Sequence, residues 1–359
     1  MDSVAVVEVL AVLAGLVVVL VTGADAVSTL VTTRRRRGRR WPTPAYYRWS
    51  WRAWRAIGRR RSPEWRESFL GVYGPLSLLG LLVFWVMLLV AGWGAVWWGL
   101  RSAVPGVHGY LDAVYFAGVG FFTVGFGDLV PTDGLARLLV IVEAFMGLLT
   151  MALLIGYLPT LYSAYSRREL QLLALDDLMD EPTTPASFLE AAYANGGREG
   201  VAAAFADWER WCDDVFDTHT AFPMLALYRS RQPGQHWLTG LAVVLDAAAL
   251  SLAIADPGPS RPAARLWRRA TRLLQGLRGL PAVGLKAGDA GPGADEARFR
   301  AVYERLAGLG EAPRPYPEAW EAYRRLRTAY VPELVAATEL LLVPMEFRHQ
   351  TSPLDLTSG

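Results

Sequence analysis

Long apolar runs organise this chain. Residues 4–22, VAVVEVLAVLAGLVVVLVT, are just long enough to cross a bilayer core of about 30 Å as a helix rising about 1.5 Å per residue. Residues 72–99 and 136–163 are longer, and the first of these, roughly 42 Å long as a helix, must tilt or protrude. Pro75 falls in its expected first turn, where a missing N–H costs little. Between the two runs lies a shorter apolar and aromatic stretch, YLDAVYFAGVGFF at 110–122, with a glycine-rich hexapeptide behind it. After about residue 164 the pattern changes to amphipathic. Val201, Phe205, Trp208, Cys212 and Val215 form a helical stripe, with Asp207, Glu209, Arg210, Asp213 and Asp214 off it. Further helices are expected at 235–255, 262–279, 294–308 and 316–342, separated by Pro/Gly-rich breaks at 256–262 and 284–293. No strand alternation competes, so the chain reads as all-α. Its expected parts are an N-terminal spanning helix (1–33), a basic loop (34–68), a two-helix membrane module (69–165) and a helical domain (166–359).

Trp237–Ile254 is nearly all apolar and leaves two readings open, a fourth span or a helix enclosed in a bundle. It is rich in alanine, carries Asp246 and has arginines on both sides, so the positive-inside rule assigns it no orientation. The bundle reading is preferred, because one extra span would leave the tail outside the cell.

Charge then orients the spans. The net charge of +2 implies no polyanionic partner for the chain as a whole, and Lys286 is its only lysine. The arginines are unevenly placed: thirteen lie in residues 34–66, from Arg34 to Arg66, interleaved with Trp41, Trp49, Trp51, Trp54 and Trp65. The positive-inside rule makes this loop cytoplasmic, the N-terminus and residues 101–109 external, and the C-terminal domain cytoplasmic. Between two spans, arginine with tryptophan points to anionic lipid headgroups, or to a topology signal alone, and not to nucleic acid. These arginines do not recur every third residue along an apolar helix, so no voltage sensor is visible. A signal peptide is the rival reading of residues 4–22, favoured by the small-residue triplet Ala24-Asp25-Ala26. Asp2, and the arginines that follow the run, count against it. Glu8, inside the run, should face protein or the interface. The single cysteine, Cys212, excludes an intrachain disulfide and fits a reducing compartment.

The hexapeptide Thr123-Val124-Gly125-Phe126-Gly127-Asp128 carries the chemistry. To pass a bilayer, an ion must exchange its water for protein oxygens, and successive backbone carbonyls supply them when they point the same way. Extended carbonyls alternate, so alignment needs positive φ, which Gly125 and Gly127 adopt without the Cβ penalty. Thr123 adds a hydroxyl. The hexapeptide resembles the T-V-G-[YF]-G-D signature of the pore-loop potassium channels, and Leu129-Val130-Pro131 continues the likeness. The resemblance covers about residues 72–165. It implies an outer helix (72–99), a pore helix (110–122) aiming its carbonyl end at a cation, a filter (123–128) and an inner helix (136–163). It further implies K+ coordinated at Thr123, Val124, Gly125 and Phe126, with Gly127 completing the filter and Asp128 at the outer mouth. One pore loop per chain implies a homotetramer in the plasma membrane, with K+ as the transported ion, no organic cofactor and no enzymatic activity.

Gating residues are expected along the inner helix, which starts behind the capping-type sequence Pro131-Thr132-Asp133. In the resembled family a glycine near the position of Gly147 serves as a hinge; close helix packing is the other reading. Met151 and Ile155, one turn apart, are expected to line a cavity that closes near Pro159, which cannot keep a normal backbone hydrogen bond. Ser166-Arg167-Arg168-Glu169 should mark the helix's exit into the cytosol. Glu143 is a candidate for a buried hydrogen bond behind the pore helix. The chain departs from the commonest family pattern at Phe126, Phe122 and Val119, which moves the alternative gate to the filter itself.

Other chemistry is not legible. There is no G-x-G-x-x-G, and residues 279–286 lack the Ser or Thr of a phosphate loop. His108, His219, His236 and His349 have no metal-ligand spacing with Cys212. The carboxylates at Asp176, Asp177, Asp180, Glu181, Asp213, Asp214 and Asp217 lack the order of a calcium loop. Two rivals stand beside the potassium channel: a weakly selective cation channel, and a membrane-anchored helical module with a non-conducting pore fold.

Overall fold

The computed structural model describes residues 3–30, 42–60, 62–178, 184–231, 236–254, 261–278, 294–308 and 313–343. Asp180, Glu181, Lys286 and His349 lie outside the described residues, as do the arginines at 34–40, Trp41 and most of both Pro/Gly-rich breaks. The regular elements are all helical. They fall into two compact units, the first comprising residues 1–50 with 75–162 and the second 51–74 with 163–359.

The first unit is built on three long helices: α1 (Ser3–Leu30), α3 (Pro63–Gly99), which enters it at Pro75, and α5 (Gly134–Leu178) as far as Tyr162. A fourth helix, α2 (Pro42–Gly58), begins here, and the short α4 (Tyr110–Phe121) lies between α3 and α5 in sequence. α1 and α3 run antiparallel and approach to backbone contact. A Cβ on Gly15 would stand 2.5 Å from the Gly92 carbonyl oxygen, and one on Gly99 would stand 2.6 Å from that of Glu8. Glu8, expected to face protein, pairs with Arg101 at 2.8 Å. At its other end α1 buries Asp25, whose Oδ2 accepts from the Thr43 N–H (2.9 Å), the Thr43 hydroxyl (2.6 Å) and the Trp85 indole (3.0 Å). Trp93, Trp97, Phe116 and Phe121 form the aromatic centre of the unit. Leu10, Leu13, Val17 and Leu20 are exposed along α1, as on a helix whose solvent is lipid.

Helix boundaries differ from expectation in three places. α3 starts nine residues early because Pro63 suits a first turn and the apolar face extends back through Leu70 and Tyr73, so Pro75 is interior and deletes a rung of the ladder. The basic loop contains α2, whose buried side repeats as Thr43, Tyr47 and Trp51. α5 runs to Leu178, well past 163, because Leu172 and Leu175 continue its buried face.

The second unit packs α6 (Pro185–Ala194), α7 (Gly197–Ala221), α9 (Arg261–Arg278), α10 (Glu296–Ala307), α11 (Tyr316–Thr328) and α12 (Val331–Leu341) around α8 (Trp237–Ile254). Burial separates the apolar helices: over their most apolar 18 residues, 83% of α8 is buried, against 11% for α1, 39% for α3 and 17% for α5, which supports the bundle reading of α8. The stripe on α7 is buried at Phe205, Trp208, Cys212 and Val215. The expected helix at 316–342 is broken between α11 and α12, where Pro332 occupies the first turn of a new helix. Within the polar run 166–169, Arg167 is exposed whereas Arg168 and Glu169 are buried. Arg168 donates to Glu169 Oε1 (2.9 Å) and to the carbonyls of Leu225 (2.9 Å) and Tyr228 (2.9 Å), while Glu169 Oε2 accepts from the Arg231 N–H (3.0 Å).

Candidate ion-coordination site

The site hangs from the last turn of α4. That helix starts where Asp112 accepts from the backbone N–H groups of His108 (3.0 Å) and Gly109 (2.8 Å), a side-chain cap that satisfies two otherwise orphaned donors. At its far end the carbonyls of Val119 and Gly120 accept from the N–H groups of Val124 (2.9 Å) and Thr123 (3.1 Å), so the first two residues of the hexapeptide are fastened to the helix. Thr123, Gly125 and Gly127 then have φ of +55°, +68° and +77°. Both glycines have the positive φ expected of them; that Thr123 shares it could not be read from its type. A Cβ on either glycine would meet nothing within 4 Å, so the demand for glycine is conformational and not one of space.

A residue of left-handed φ between neighbours of ordinary φ turns the peptide planes so that carbonyls need not alternate. Residues 123–127 form a strip whose own side chains carry no charge, with Asp128 at its end. Such a strip can replace a cation's water without binding it irreversibly. Val124 and Phe126 are 50% and 69% exposed, so a single chain covers neither side of the strip. Phe126 has no hydroxyl to tie the strip back. Tyr115, one turn before Val119 in α4, does so instead, donating to Asp128 Oδ2 at 2.8 Å. Sequence reasoning missed this residue, although its i+4 spacing to Val119 was a usable signal.

α5 approaches α4 through two residues one turn apart. Glu143 is buried and accepts from the Trp97 indole at 2.7 Å, the hydrogen bond expected behind the pore helix. Gly147 lies against the Phe121 carbonyl, where a Cβ would stand 1.9 Å from the oxygen; the packing role weighed for this glycine is therefore occupied. Asp133 caps α5 as its sequence predicts, accepting from the Ala136 N–H at 2.9 Å. Met151 is half-buried, while Ile155 and Pro159 are exposed on α5, more than a turn beyond these contacts. Among the described residues no cluster of three or more His, Cys, Asp or Glu that would hold a metal ion occurs.

Residues 81–163 match the family model described as "Ion channel". Over 200 residues the chain is 26% identical to "Uncharacterized membrane protein YdjJ" of Bacillus subtilis (strain 168), an alignment covering 54% of this chain and 58% of that protein. Over 93 residues it is 35% identical to "Two pore potassium channel a" of Oryza sativa subsp. japonica, covering 25% of this chain and 26% of that protein. The chain thus spans a little over half of the first relative and about a quarter of the second. No solved structure matches it. Over residues 81–163, which contain the hexapeptide and the helices around it, the chain is similar to the ion channel family.

Proposed function

We propose that four copies of this chain form a potassium-selective channel, with K+ coordinated by the backbone carbonyls of Thr123, Val124, Gly125 and Phe126, Gly127 completing the filter and Asp128 at its outer mouth. The observation that carries this reading is the left-handed φ at 123, 125 and 127, set directly behind a short helix whose carbonyl end faces the strip. The likeness to a rice protein named as a potassium channel supports the choice of ion. The exposed Val124 and Phe126 support assembly, because one chain cannot surround an ion.

Purified chain in liposomes under a potassium gradient should pass K+ and reject Na+. Gly125→Ala should abolish that preference, since alanine resists φ of +68°. Equal fluxes of the two ions through the wild type refute the proposal and favour a weakly selective cation channel.

The proposed topology puts the N-terminus and residues 101–109 outside and the basic loop and residues 166–359 in the cytosol. Anionic lipid is the proposed partner of the basic loop, supported by the exposed Trp49 and Arg52 on α2. A cysteine at Ser102 should then react with an impermeant thiol reagent on intact cells, and one at Ser62 should not. Native Cys212 leaves this assay clean, because burial pushes its thiol well above the reactive range. The proposed gate narrows the apolar ring of Met151 and Ile155 above Pro159, with Gly147 as the bend. A cysteine at Ile155 that reacts equally in conducting and silent channels moves the gate to the filter.

A further inference from the structure

Glu143 lies against Gly120, behind the ion-coordinating strip, and it is fully buried. Oε2 accepts from the Trp97 indole at 2.7 Å, while Oε1 has no hydrogen-bond partner among the described residues. A carboxyl group buried with a single donor is a costly way to fill space that a leucine would fill. Its neighbours indicate what the cost supports. A Cβ on Gly120 would lie 3.3 Å from Oε2 and 3.5 Å from the carboxyl carbon, so the carboxyl stands where a side chain of α4 would otherwise be. The carbonyl of that same Gly120 holds the Thr123 N–H at 3.1 Å. Three helices therefore meet in one line of contacts, from the Trp97 indole of α3, through the Glu143 carboxyl of α5, to Gly120 of α4 and the first residue of the strip.

We infer that Glu143 is a positioning residue for ion selection: held by Trp97, its carboxyl fixes the height of Gly120 and thereby the register of the Thr123 and Val124 oxygens. The inference rests on the potassium-filter reading. An apolar contact is tolerant of small displacements, whereas an indole N–H with one acceptor has a fixed length and direction. Selection between two ions of equal charge depends on where the oxygens sit. The brace thus acts on the ratio of ion fluxes more than on whether the protein folds.

The test is potassium and sodium flux through the full chain in liposomes, with the thermal midpoint of the assembly measured in each salt, for Trp97→Phe, Glu143→Leu and Glu143→Gln. Glu143→Gln keeps an oxygen for the indole and should stay within about twofold of the wild-type flux ratio. Trp97→Phe and Glu143→Leu should lower the potassium-over-sodium ratio about tenfold, the scale that one buried hydrogen bond can hold. They should also shrink the extra stability that potassium confers over sodium. A residue that only fills space would lower both midpoints together and leave the ratio alone. If Glu143→Leu does not assemble, Trp97→Phe decides from the opposite side of the bond. A wild type that prefers potassium, with both variants at its ratio, overturns this inference alone. A wild type without preference overturns the filter reading and the inference with it.

Discussion

Alanine at position 147 tests how tightly the inner helix and the pore helix are joined. The added Cβ would lie 1.9 Å from the Phe121 carbonyl oxygen, 2.9 Å from its carbon and 3.3 Å from its Cα. Real contacts of this kind stay beyond 3.0 Å, so α4 and α5 must separate by more than 1 Å at the turn that carries the filter. The obstacle is backbone and cannot rotate aside. Overpacking of this kind costs about 1–3 kcal/mol. Against it stands the higher helix propensity of alanine, up to about 1 kcal/mol. Gly156, on the same helix, separates the two terms, because a Cβ there meets nothing within 4 Å. Gly156→Ala should therefore raise the thermal midpoint or leave it unchanged, while Gly147→Ala should lower it by roughly 2–6 °C on the usual scaling for a chain of this size. Scanning fluorimetry of the purified assembly reads both, and liposome flux reports whether the displaced turn still conducts. Equal midpoints for the two variants would refute the close contact, leaving bending as the only reason for glycine at 147.

Further outcomes follow from other contacts. Tyr115→Phe removes the donor to Asp128, and its potassium flux should decay faster during sustained conduction than that of the wild type; an unchanged time course would show the tie to be idle. Arg168→Met leaves Glu169 buried without its guanidinium, which should cost about 3–5 kcal/mol and show as an early transition in chemical denaturation; a single wild-type transition contradicts this. His219 and His236 are held neutral well below the ordinary 6.5, chiefly by burial and then by nearby guanidinium groups: Arg168 for His219, Arg229 and Arg168 for His236. Because the unfolded chain binds these protons first, stability is intact above about pH 6.5 and is lost as pH falls below it. His219→Gln should gain on the wild type between pH 7 and 5, and a constant difference across that range counts against the argument.

The parts legible in sequence were those set by local chemistry. Gly125 and Gly127 announced their φ because no other residue takes it freely, and Glu143 announced a partner because a bare carboxylate in an apolar helix is untenable. Long apolar runs located α1, α3 and α5, and the α7 stripe located a buried face. What escaped depended on distant chain. Ser166-Arg167-Arg168-Glu169 looks like a solvated run, yet the carbonyls that bury Arg168 belong to Leu225 and Tyr228, beyond any local pattern. The amphipathic spacing of Thr43, Tyr47 and Trp51 was visible, but arginine masked it, so α2 was read as loop. Misplacing the start of α3 made an interior proline look harmless. The second hydrogen-bonding device, Asp25, was hidden inside a triplet of small residues.

Asp25 also bears on how the chain is made. Its backbone and hydroxyl donors at Thr43 come 18 residues later, and its indole donor at Trp85 comes 60 residues later. At a synthesis rate of about 5–20 residues per second, the indole arrives roughly 3–12 s after the carboxylate. During that interval α1 exists as a nascent helix whose acidic group lacks its indole donor. Its final seat is defined only when the translating ribosome has delivered α3, so α1 is made before α3 and cannot finish folding before it.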